Sequence, residues 1–345
     1  MAENRIIYGA PGVGKSFSIK NIVKDNYKIV TTFHPEYTYF DFVGSYKPIS
    51  KEYAMDYMFH YYNNTTALIE TYPYKLDRKN LSYEFVIGPF LEAYVLAWKE
   101  YLAKGKDVYL VIEELNRGNS AAIFGEIFQL LDRDKFGASE YYVNVSENIS
   151  SYLEEELGVF YEAELKIIFA AKKIQLPQNM FSILFIPDNF FVIATMNTSD
   201  QSLFPLDSAF KRRWNWQYLP IKYSHAKGRK ITIDTINYDW GDFLELINDL
   251  IFKLTQSEDK CLGPYFVKGD VVLKEEFVGK VLFYLWTECF KDETEDVLSE
   301  YFPKSKRMIS GKVVDETITY KDFYDETNGT DYINEFLKTL GVLPI

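Results

Sequence analysis

The chain has 345 residues, of which 47% are hydrophobic and 26% charged, and its formal net charge is −12 at pH 7. This composition predicts an ordinary globular protein with ample core, organised as two domains or one large one. The negative charge argues against binding of DNA or of an anionic membrane through the overall electrostatic field, so DNA contact would need a local basic surface or another chain.

A phosphate-binding loop is predicted near the start of the chain, where GAPGVGKS fills the pattern G-x-x-x-x-G-K-[ST]. Its glycines let backbone N–H groups curl around a phosphate, Lys15 can reach the β- and γ-phosphates, and the Ser16 hydroxyl is a Mg²⁺ ligand. An apolar strand at 6–8 and an amphipathic helix at 17–23 flank the loop as this motif requires. The residues predicted to surround the phosphates are Gly9, Ala10, Pro11, Gly12, Val13, Gly14, Lys15 and Ser16.

The next elements are a second strand at 28–33 and an aromatic-rich stretch at 33–46. That stretch is either a platform for base stacking or a loop packed on the core, and its acidic charge favours packing. Residues 50–80 are polar and rich in tyrosine without a clean period, which indicates an insertion. A helix is predicted at 90–102, where the apolar residues form a stripe.

Two consecutive acids follow an apolar run at 108–112, namely Glu113 and Glu114. This pattern is typical of a buried parallel strand that delivers carboxylates at its C-terminal edge, where ligands bind in open α/β sheets. The first acid would hold Mg²⁺, usually through water and together with Ser16, and the second would polarise the attacking water. The pattern is common by chance, but its distance from the phosphate loop strengthens the prediction.

A helix is predicted at 123–131, followed by a second insertion at 136–178 that contains an amphipathic segment near 153–171. Residues 190–195 then form another buried strand, which leads to Met196 and Asn197. A polar side chain at this strand tip can position the hydrolytic water, because it lies beside the acid-bearing strand.

A short helix is predicted at 205–213, and Arg212 and Arg213 stand in its last turn. Cations are favourable at a helix C-terminus in any case, so these residues alone indicate no more than dipole capping and solvation. A fifth strand is predicted at 214–219.

The character of the sequence changes near residue 220, and helical patterns at 243–254 and 277–290 predict a smaller, mainly helical second domain. The only two cysteines, Cys261 and Cys289, lack the spacing of a metal site and indicate a reduced, cytosolic setting. The chain opens on no signal peptide and contains no apolar run that could span a bilayer, so no membrane association is expected.

Together these motifs resemble the AAA+ plan, and four segments are similar to McrB-type AAA+ proteins. The segments are IEELNRGNSAAIFGEIFQLLDRDK, FHPEYTYFDFVGSYKP, YEFVIGPF and IPDNFFVIATMNTSDQSLFPLDSAFKRRW. The resemblance implies an α/β P-loop NTPase fold over residues 1–220, with a five-stranded parallel sheet flanked by helices and insertions at about 50–80 and 136–178. A smaller, mainly helical lid domain would follow at 221–345.

The resemblance also implies an activity: a GTP-hydrolysing ring motor, usually hexameric, that uses Mg²⁺ and drives a separate McrC-type endonuclease in DNA restriction. Through it, Glu113 would serve Mg²⁺ and Glu114 would be the catalytic acid. Asn197 and Asp200 would form the sensor loop within MNTSD, and this segment implies a preference for GTP over ATP. Arg212 and Arg213 would act on the nucleotide of a neighbouring subunit, and Asn116 and Arg117 would lie near that interface.

Three departures from the family pattern qualify these implications. Glu113 stands where Asp is usual, and Gln201 stands where the loop normally carries Arg. The N-terminal DNA-reading domain of the family is not expected in this chain, so target recognition would lie in another chain or in a part that was removed. Two alternatives follow: a nucleotide-gated assembly protein with weak hydrolysis, and an ATP-driven protein remodeller.

Overall fold

The structure is a computed structural model that describes residues 2–63, 68–197, 204–309 and 312–345, with side chains described outside 51–80 and 307–314. The first part of the chain alternates strands with helices. Its elements are β1 Asn4–Tyr8, α1 Lys15–Val23, β2 Tyr27–Thr32, α2 Tyr39–Phe42, β3 Gly44–Asn63, β4 Leu68–Ile87, α3 Pro89–Ala103, β5 Val108–Glu113, α4 Ser120–Phe124, β6 Val143–Asn144, α5 Glu147–Lys172, β7 Ile183–Leu184, β8 Phe190–Met196, α6 Ser208–Lys211 and β9 Asn215–Tyr218.

Five of these strands form one sheet in the order β2-β5-β8-β1-β9. Every neighbouring pair in it is parallel, so the predicted five-stranded parallel sheet is confirmed. Because β1, β5 and β8 lie side by side, their carboxyl ends meet at one edge of the sheet. This arrangement brings the phosphate loop, the acid pair and Asn197 to the same edge.

The main core covers one face of the sheet, and the predicted insertion at 136–178 contributes to it. Its helix, α5, is longer than the predicted segment at 153–171 and bends at Gly158, where φ is 61°. Tyr161 of this helix is fully buried, and its hydroxyl lies 2.7 Å from the hydroxyl of Tyr94 in α3. The second insertion is therefore packed against the sheet domain through a buried apolar face.

Two helix predictions were wrong in extent. The helix predicted at 123–131 is an α-helix only to Phe124, and a 3₁₀ segment, Gly125–Leu131, continues it. Gly125 has φ 49°, outside the α-helical region, which ends regular α-geometry at this point. The helix predicted at 205–213 is confined to four residues, Ser208–Lys211, and Arg212 caps its C-terminus.

The first predicted insertion, at 50–80, belongs to an antiparallel ribbon. Strands β3 and β4 have 20 residues each and pair with one another along their whole length. At about 3.3 Å per residue, such strands extend for about 65 Å. The aromatic stretch that precedes the ribbon packs on the core through Phe33 and Phe42, which are both fully buried, and this supports the packing interpretation. Phe40 of the same stretch is exposed.

The second part of the chain has its own core and a mixture of helices and short strands. Its elements are β10 Lys230–Ile233, β11 Ile236–Asp239, α7 Trp240–Thr255, β12 Val271–Leu273, α8 Lys274–Glu276 with the π-helical segments Phe277–Leu282 and Leu285–Cys289 after it, α9 Glu295–Tyr301, β13 Lys304–Ile309, β14 Lys312–Thr317 and α10 Gly329–Leu340. The sequence analysis missed the three-stranded sheet β11-β10-β12 and the pair β13-β14. Within the described ranges, none of the helices combines the length and the apolar character that a bilayer crossing needs.

Candidate nucleotide-binding site

The loop between β1 and α1 has the backbone conformation of a phosphate cradle. Gly9, Gly12 and Gly14 have φ values of 150°, 78° and 95°, which L-residues with a Cβ rarely adopt. A Cβ on Gly12 would lie 2.4 Å from the backbone nitrogen of Phe266, and one on Gly9 would lie 2.6 Å from the carbonyl oxygen of Leu219. Glycine is therefore required at positions 9 and 12 for both conformation and space, and at position 14 for conformation.

Lys15 begins α1 and turns its side chain back over the loop. Its Nζ donates hydrogen bonds to the carbonyl oxygens of Gly9, at 2.8 Å, and Ala10, at 3.1 Å. Ser16 follows in the first turn of α1 and is exposed. The ammonium and the hydroxyl thus lie at the N-terminus of a helix, where backbone amides and the helix dipole favour an anion.

A cavity of about 630 Å³ opens above this loop. It is large enough for a small-molecule ligand, since such pockets commonly measure about 300–1,000 Å³. Residues from the loop, the sheet edge and the second part of the chain surround it. The lining residues are Pro11, Gly12, Val13, Gly14, Lys15, Ser16, Phe17, Glu114, Asn197, Tyr265 and Lys268.

The cavity unites most of the predicted site residues, including Glu114 and Asn197. Among the described residues, the lining does not include Gly9, Ala10, Glu113, Arg212 or Arg213. Asp200, the predicted partner of Asn197 in the sensor loop, lies outside the described residues, and so does Gln201.

The sequence analysis missed three lining residues: Phe17, Tyr265 and Lys268. Phe17 could have been found, because it directly follows the phosphate-loop motif. Tyr265 and Lys268 lie in the segment CLGPYFVK, and no pattern in that segment indicates which surface it contacts.

Glu114 has an unusual backbone conformation. Its φ of 56° and ψ of 47° are left-handed, and it stands between β5 and a 3₁₀ turn, not at the end of an α-helix. Such a conformation is costly for a residue with a Cβ and is often found at functional sites. It turns the chain sharply after the strand, and the Glu114 side chain lines the cavity.

Two side chains hold the Glu114 carboxylate. The Nδ2 of Asn197 donates to Oε1 at 3.1 Å and to Oε2 at 3.2 Å, and the Nε of Arg117 lies 3.2 Å from Oε2. The backbone N–H of Glu114 also donates to the Thr195 hydroxyl, at 3.4 Å. The tip of β8 therefore orients the acid that follows β5.

Asn116 also connects the carboxyl ends of β5 and β8, through a buried hydrogen bond. Its side chain is buried, and Nδ2 donates to the carbonyl oxygen of Asn197 at 2.7 Å. The placement of Asn116 near a subunit interface, which the resemblance implies, stays a prediction. Arg117 is exposed and bonded to Glu114, as described above.

Glu113 ends β5 and is half-buried, and its carbonyl oxygen accepts the N–H of Phe33 at 3.0 Å. No group of three or more His, Cys, Asp or Glu side chains in the described ranges could hold a metal ion by itself. The site suits Mg²⁺ all the same, because this ion commonly takes one or two protein oxygens together with phosphate oxygens and water. The exposed hydroxyl of Ser16, on the cavity wall, is such an oxygen.

Arg212 and Arg213 have different surroundings. The Arg213 side chain is only 8% exposed, and its Nη2 pairs with Asp132 Oδ2 at 2.6 Å. Its guanidinium also lies 3.9 Å from the centre of the Phe128 ring, and Nη1 donates to the carbonyl oxygen of Ala209 at 2.9 Å. Arg212 is exposed.

Comparison with known proteins assigns the family. Residues 4–214 match the AAA domain of the dynein-related subfamily, which is more than half of the chain. The chain belongs to this AAA family. The match covers four strands of the sheet, β1, β2, β5 and β8, together with the phosphate loop, and it ends one residue before β9.

Two curated relatives narrow the assignment. The Bacillus subtilis (strain 168) protein named Type II restriction enzyme BsuMI component YdiS is 37% identical over 305 residues, which cover 84% of this chain and 80% of that protein. The Escherichia coli (strain K12) protein named Type IV methyl-directed restriction enzyme EcoKMcrB subunit is 25% identical over 224 residues, which cover 62% of this chain and 34% of that protein. This AAA protein therefore spans about a third of the E. coli relative, and its resemblance to McrB-type restriction-system proteins is confirmed.

Proposed function

We propose that this McrB-type AAA protein is a GTP-hydrolysing ring motor, most simply a hexamer, that drives a McrC-like endonuclease in DNA restriction. The observation that carries the proposal is the meeting of the phosphate loop, Glu114 and Asn197 in one cavity. In this proposal residues 1–220 are the nucleotide-binding domain and residues 221–345 are its lid.

Binding in this proposal uses groups that already surround the cavity. The loop amides and the N-terminus of α1 hold the phosphates, and Lys15 exchanges the carbonyl oxygens of Gly9 and Ala10 for phosphate oxygens. Ser16 holds Mg²⁺, with Glu113 acting through water. The ion, when bound, neutralises charge that develops on the phosphates.

Hydrolysis depends on the acid after β5. Glu114 accepts a proton from the attacking water, and Asn197 keeps the carboxylate oriented through its two contacts of 3.1 and 3.2 Å. Arg117 lies on the same carboxylate at 3.2 Å and limits its rotation. The side chains that orient the acid come from the next strand and the following turn, so their geometry depends on an intact sheet edge.

An exposed arginine supports the ring arrangement. Arg212 is exposed and does not line the cavity of its own subunit, among the described residues. An arginine presented in this way can stabilise charge on the nucleotide of a neighbour, because its planar fork binds phosphate oxygens in a bidentate manner. Arg213 is engaged by Asp132, which supports Arg212 as the residue that acts in trans.

The proposal also includes the choice of nucleotide, the partner protein and the cellular location. The MNTSD segment supports GTP over ATP, and a cytoplasmic location accords with the restriction enzymes among the relatives. The curated names of both relatives refer to multi-component restriction enzymes, which supports a nuclease partner. With a net charge of −12, the chain would reach DNA through another domain or chain.

Steady-state phosphate release with GTP and with ATP, measured with and without a McrC-like nuclease, tests the proposal, and particle size is measured on the same samples. We expect faster release with GTP, further stimulation by the nuclease, and ring-sized particles. Nucleotide-dependent assembly with negligible release would favour the assembly protein, an alternative that rests on Glu113 standing where Asp is usual and so weakening the metal site. Equal or better use of ATP with no response to the nuclease would favour the protein remodeller.

A further inference from the structure

One segment of the second part crosses the phosphate loop, and we call its residues 261–268 the strap. Two backbone hydrogen bonds join the strap to the loop, in addition to any side-chain contact. The N–H of Gly263 donates to the carbonyl oxygen of Pro11, and the N–H of Tyr265 donates to that of Gly12, both at 2.8 Å. The phosphate loop is therefore paired with a backbone segment from outside the sheet.

The approach is close enough to require glycine on both sides. A Cβ on Gly263 would lie 2.3 Å from the carbonyl carbon of Gly12 and 2.4 Å from the backbone nitrogen of Val13. A Cβ on Gly12 would in turn lie 2.4 Å from the nitrogen of Phe266. These neighbours are backbone atoms, which cannot rotate away as a flexible side chain could.

The apolar side chains of the phosphate loop also pack against the second part of the chain. Ala10 and Val13 are 2% and 8% exposed, and both belong to the core of the second part, together with Leu262 and Val267 of the strap. The phosphate loop thus begins on a strand of the sheet but buries its apolar side chains in the other core. Displacement of the strap would expose this apolar surface as well as break the two hydrogen bonds.

The second part holds the strap in shape by itself. Arg229 donates through Nη2 to the carbonyl oxygen of Val267 at 2.7 Å and through Nε to that of Gly269 at 2.8 Å, and it also bonds the carbonyl oxygen of Pro264. Trp240 Nε1 donates to the same Pro264 oxygen at 3.0 Å. With these carbonyls satisfied, the strap presents its amides to the loop in a preformed geometry.

We propose that the strap positions the phosphate loop for nucleotide, with Gly263 as the residue that permits the contact and Arg229 as the residue that maintains its shape. This inference rests on the proposed nucleotide-binding function. The ring of Tyr265 adds an aromatic wall, since a Cβ on Gly14 would lie 3.3 Å from it. Nucleotide affinity then depends on residues that contact no phosphate.

The main test compares two glycine-to-alanine variants in the same part of the chain. Gly263→Ala should weaken GTP and ATP binding about 10-fold or more in calorimetric titration, because the loop must shift to admit the Cβ, and tenfold corresponds to about 1.4 kcal/mol. Gly279→Ala is the matched control, since its Cβ would meet nothing closer than the Tyr324 hydroxyl at 4.0 Å. Its affinity should equal that of the wild type within about twofold.

A second variant, Arg229→Gln, disturbs the shape of the strap without adding a Cβ beside the phosphate loop. Arg229→Gln should raise KM several-fold while kcat at saturating nucleotide changes little, because Glu114 and Asn197 stand on the sheet edge. Arg229→Lys should restore part of the affinity. Amide exchange at Gly263 and Tyr265 in the nucleotide-free protein should be slow in the wild type and fast in Arg229→Gln.

The outcomes distinguish failure of the inference about the strap from failure of the proposed nucleotide-binding function. If the wild type binds nucleotide and folded Gly263→Ala binds equally well, the strap does not position the loop. Should Gly263→Ala fail to fold, unchanged KM in Arg229→Gln together with fast amide exchange overturns the inference. If the wild type binds neither GTP nor ATP, the proposed function fails first, and the strap loses its role with it.

Discussion

The two walls of the cavity are built in different ways. The sheet wall consists of the phosphate loop, Glu114 and Asn197, each at the carboxyl end of a parallel strand. The strap wall consists of a loop from the second core that reaches the site through backbone contacts and the side chains of Tyr265 and Lys268. The reactive groups thus stand at strand ends, whereas the proposed role of the strap makes the conformation of the phosphate loop depend on the second core as well.

The largest loss of turnover should come from a substitution at Arg212, a residue that belongs to neither wall. Arg212→Ala should lower turnover by about 10³- to 10⁵-fold if the guanidinium acts on a neighbouring subunit, as arginine fingers do when supplied to GTPases in trans. Nucleotide affinity of the same subunit should be nearly unchanged, because Arg212 does not line its cavity in the described structure. Turnover and binding measured on one preparation check this.

Mixed rings provide the control for Arg212. Lys15→Ala subunits keep Arg212 but lack a working pocket, and Arg212→Ala subunits have the reverse defect. Mixing the two inactive proteins should restore part of the turnover, since one subunit supplies the pocket and the other supplies the arginine. Persistent inactivity in demonstrated mixed rings, or normal turnover by Arg212→Ala alone, would leave Arg212 as a helix-capping residue.

The next largest loss of turnover should come from a substitution of Glu114, the acid of the sheet wall. Glu114→Gln should keep nucleotide binding but lower turnover by about 10²- to 10⁴-fold, because the amide cannot accept a proton from water. Glu113→Gln is the comparison variant, because Glu113 does not line the cavity in the described residues and in the proposal serves Mg²⁺ only through water. Its loss should lower turnover less than the loss of Glu114. A trapped, nucleotide-bound state in Glu113→Gln and not in Glu114→Gln would reverse the assignment of the two acids.

Lys15→Ala tests whether the phosphate loop binds nucleotide without the Lys15 ammonium group. We expect affinity for GTP and ATP to fall about 100-fold, because hydrogen bonds from a charged donor to phosphate are worth about 1.5–3 kcal/mol. The fold should survive, since the Lys15 side chain is not fully buried and its Nζ donates to the loop carbonyl oxygens of Gly9 and Ala10. Unchanged affinity in a folded variant would contradict the phosphate-loop assignment.

The smallest effect should distinguish Arg213 from Arg212. Arg213→Ala should lower the free energy of unfolding by about 2 kcal/mol, because the ion pair with Asp132 is largely shielded and a charged hydrogen bond is worth about 1.5–3 kcal/mol. Arg212→Ala should leave stability nearly unchanged, since the side chain is exposed. Thermal unfolding of the two variants compares them, and equal melting temperatures would remove the structural role of Arg213.

Most of the sheet wall could be predicted from the amino-acid sequence. Glycines, Lys15 and Ser16 stand at fixed spacing in one continuous segment, and the flanking strand and helix are visible as short apolar patterns. Buried runs of β-branched residues identify the parallel strands, so Glu114 and Asn197 could be placed at strand ends. Their mutual contact then follows from parallel pairing, which brings carboxyl ends to one edge.

The strap wall and the different surroundings of Arg212 and Arg213 became visible only in the folded chain. Arg212 and Arg213 are adjacent and chemically identical, and their difference depends on Asp132 and Phe128, which come from another segment. The left-handed Glu114 is likewise set by its packed surroundings, since no glycine marks that turn. The strap joins the loop through backbone N–H and carbonyl groups, so the sequence shows the glycines that the contact requires but not which two segments meet.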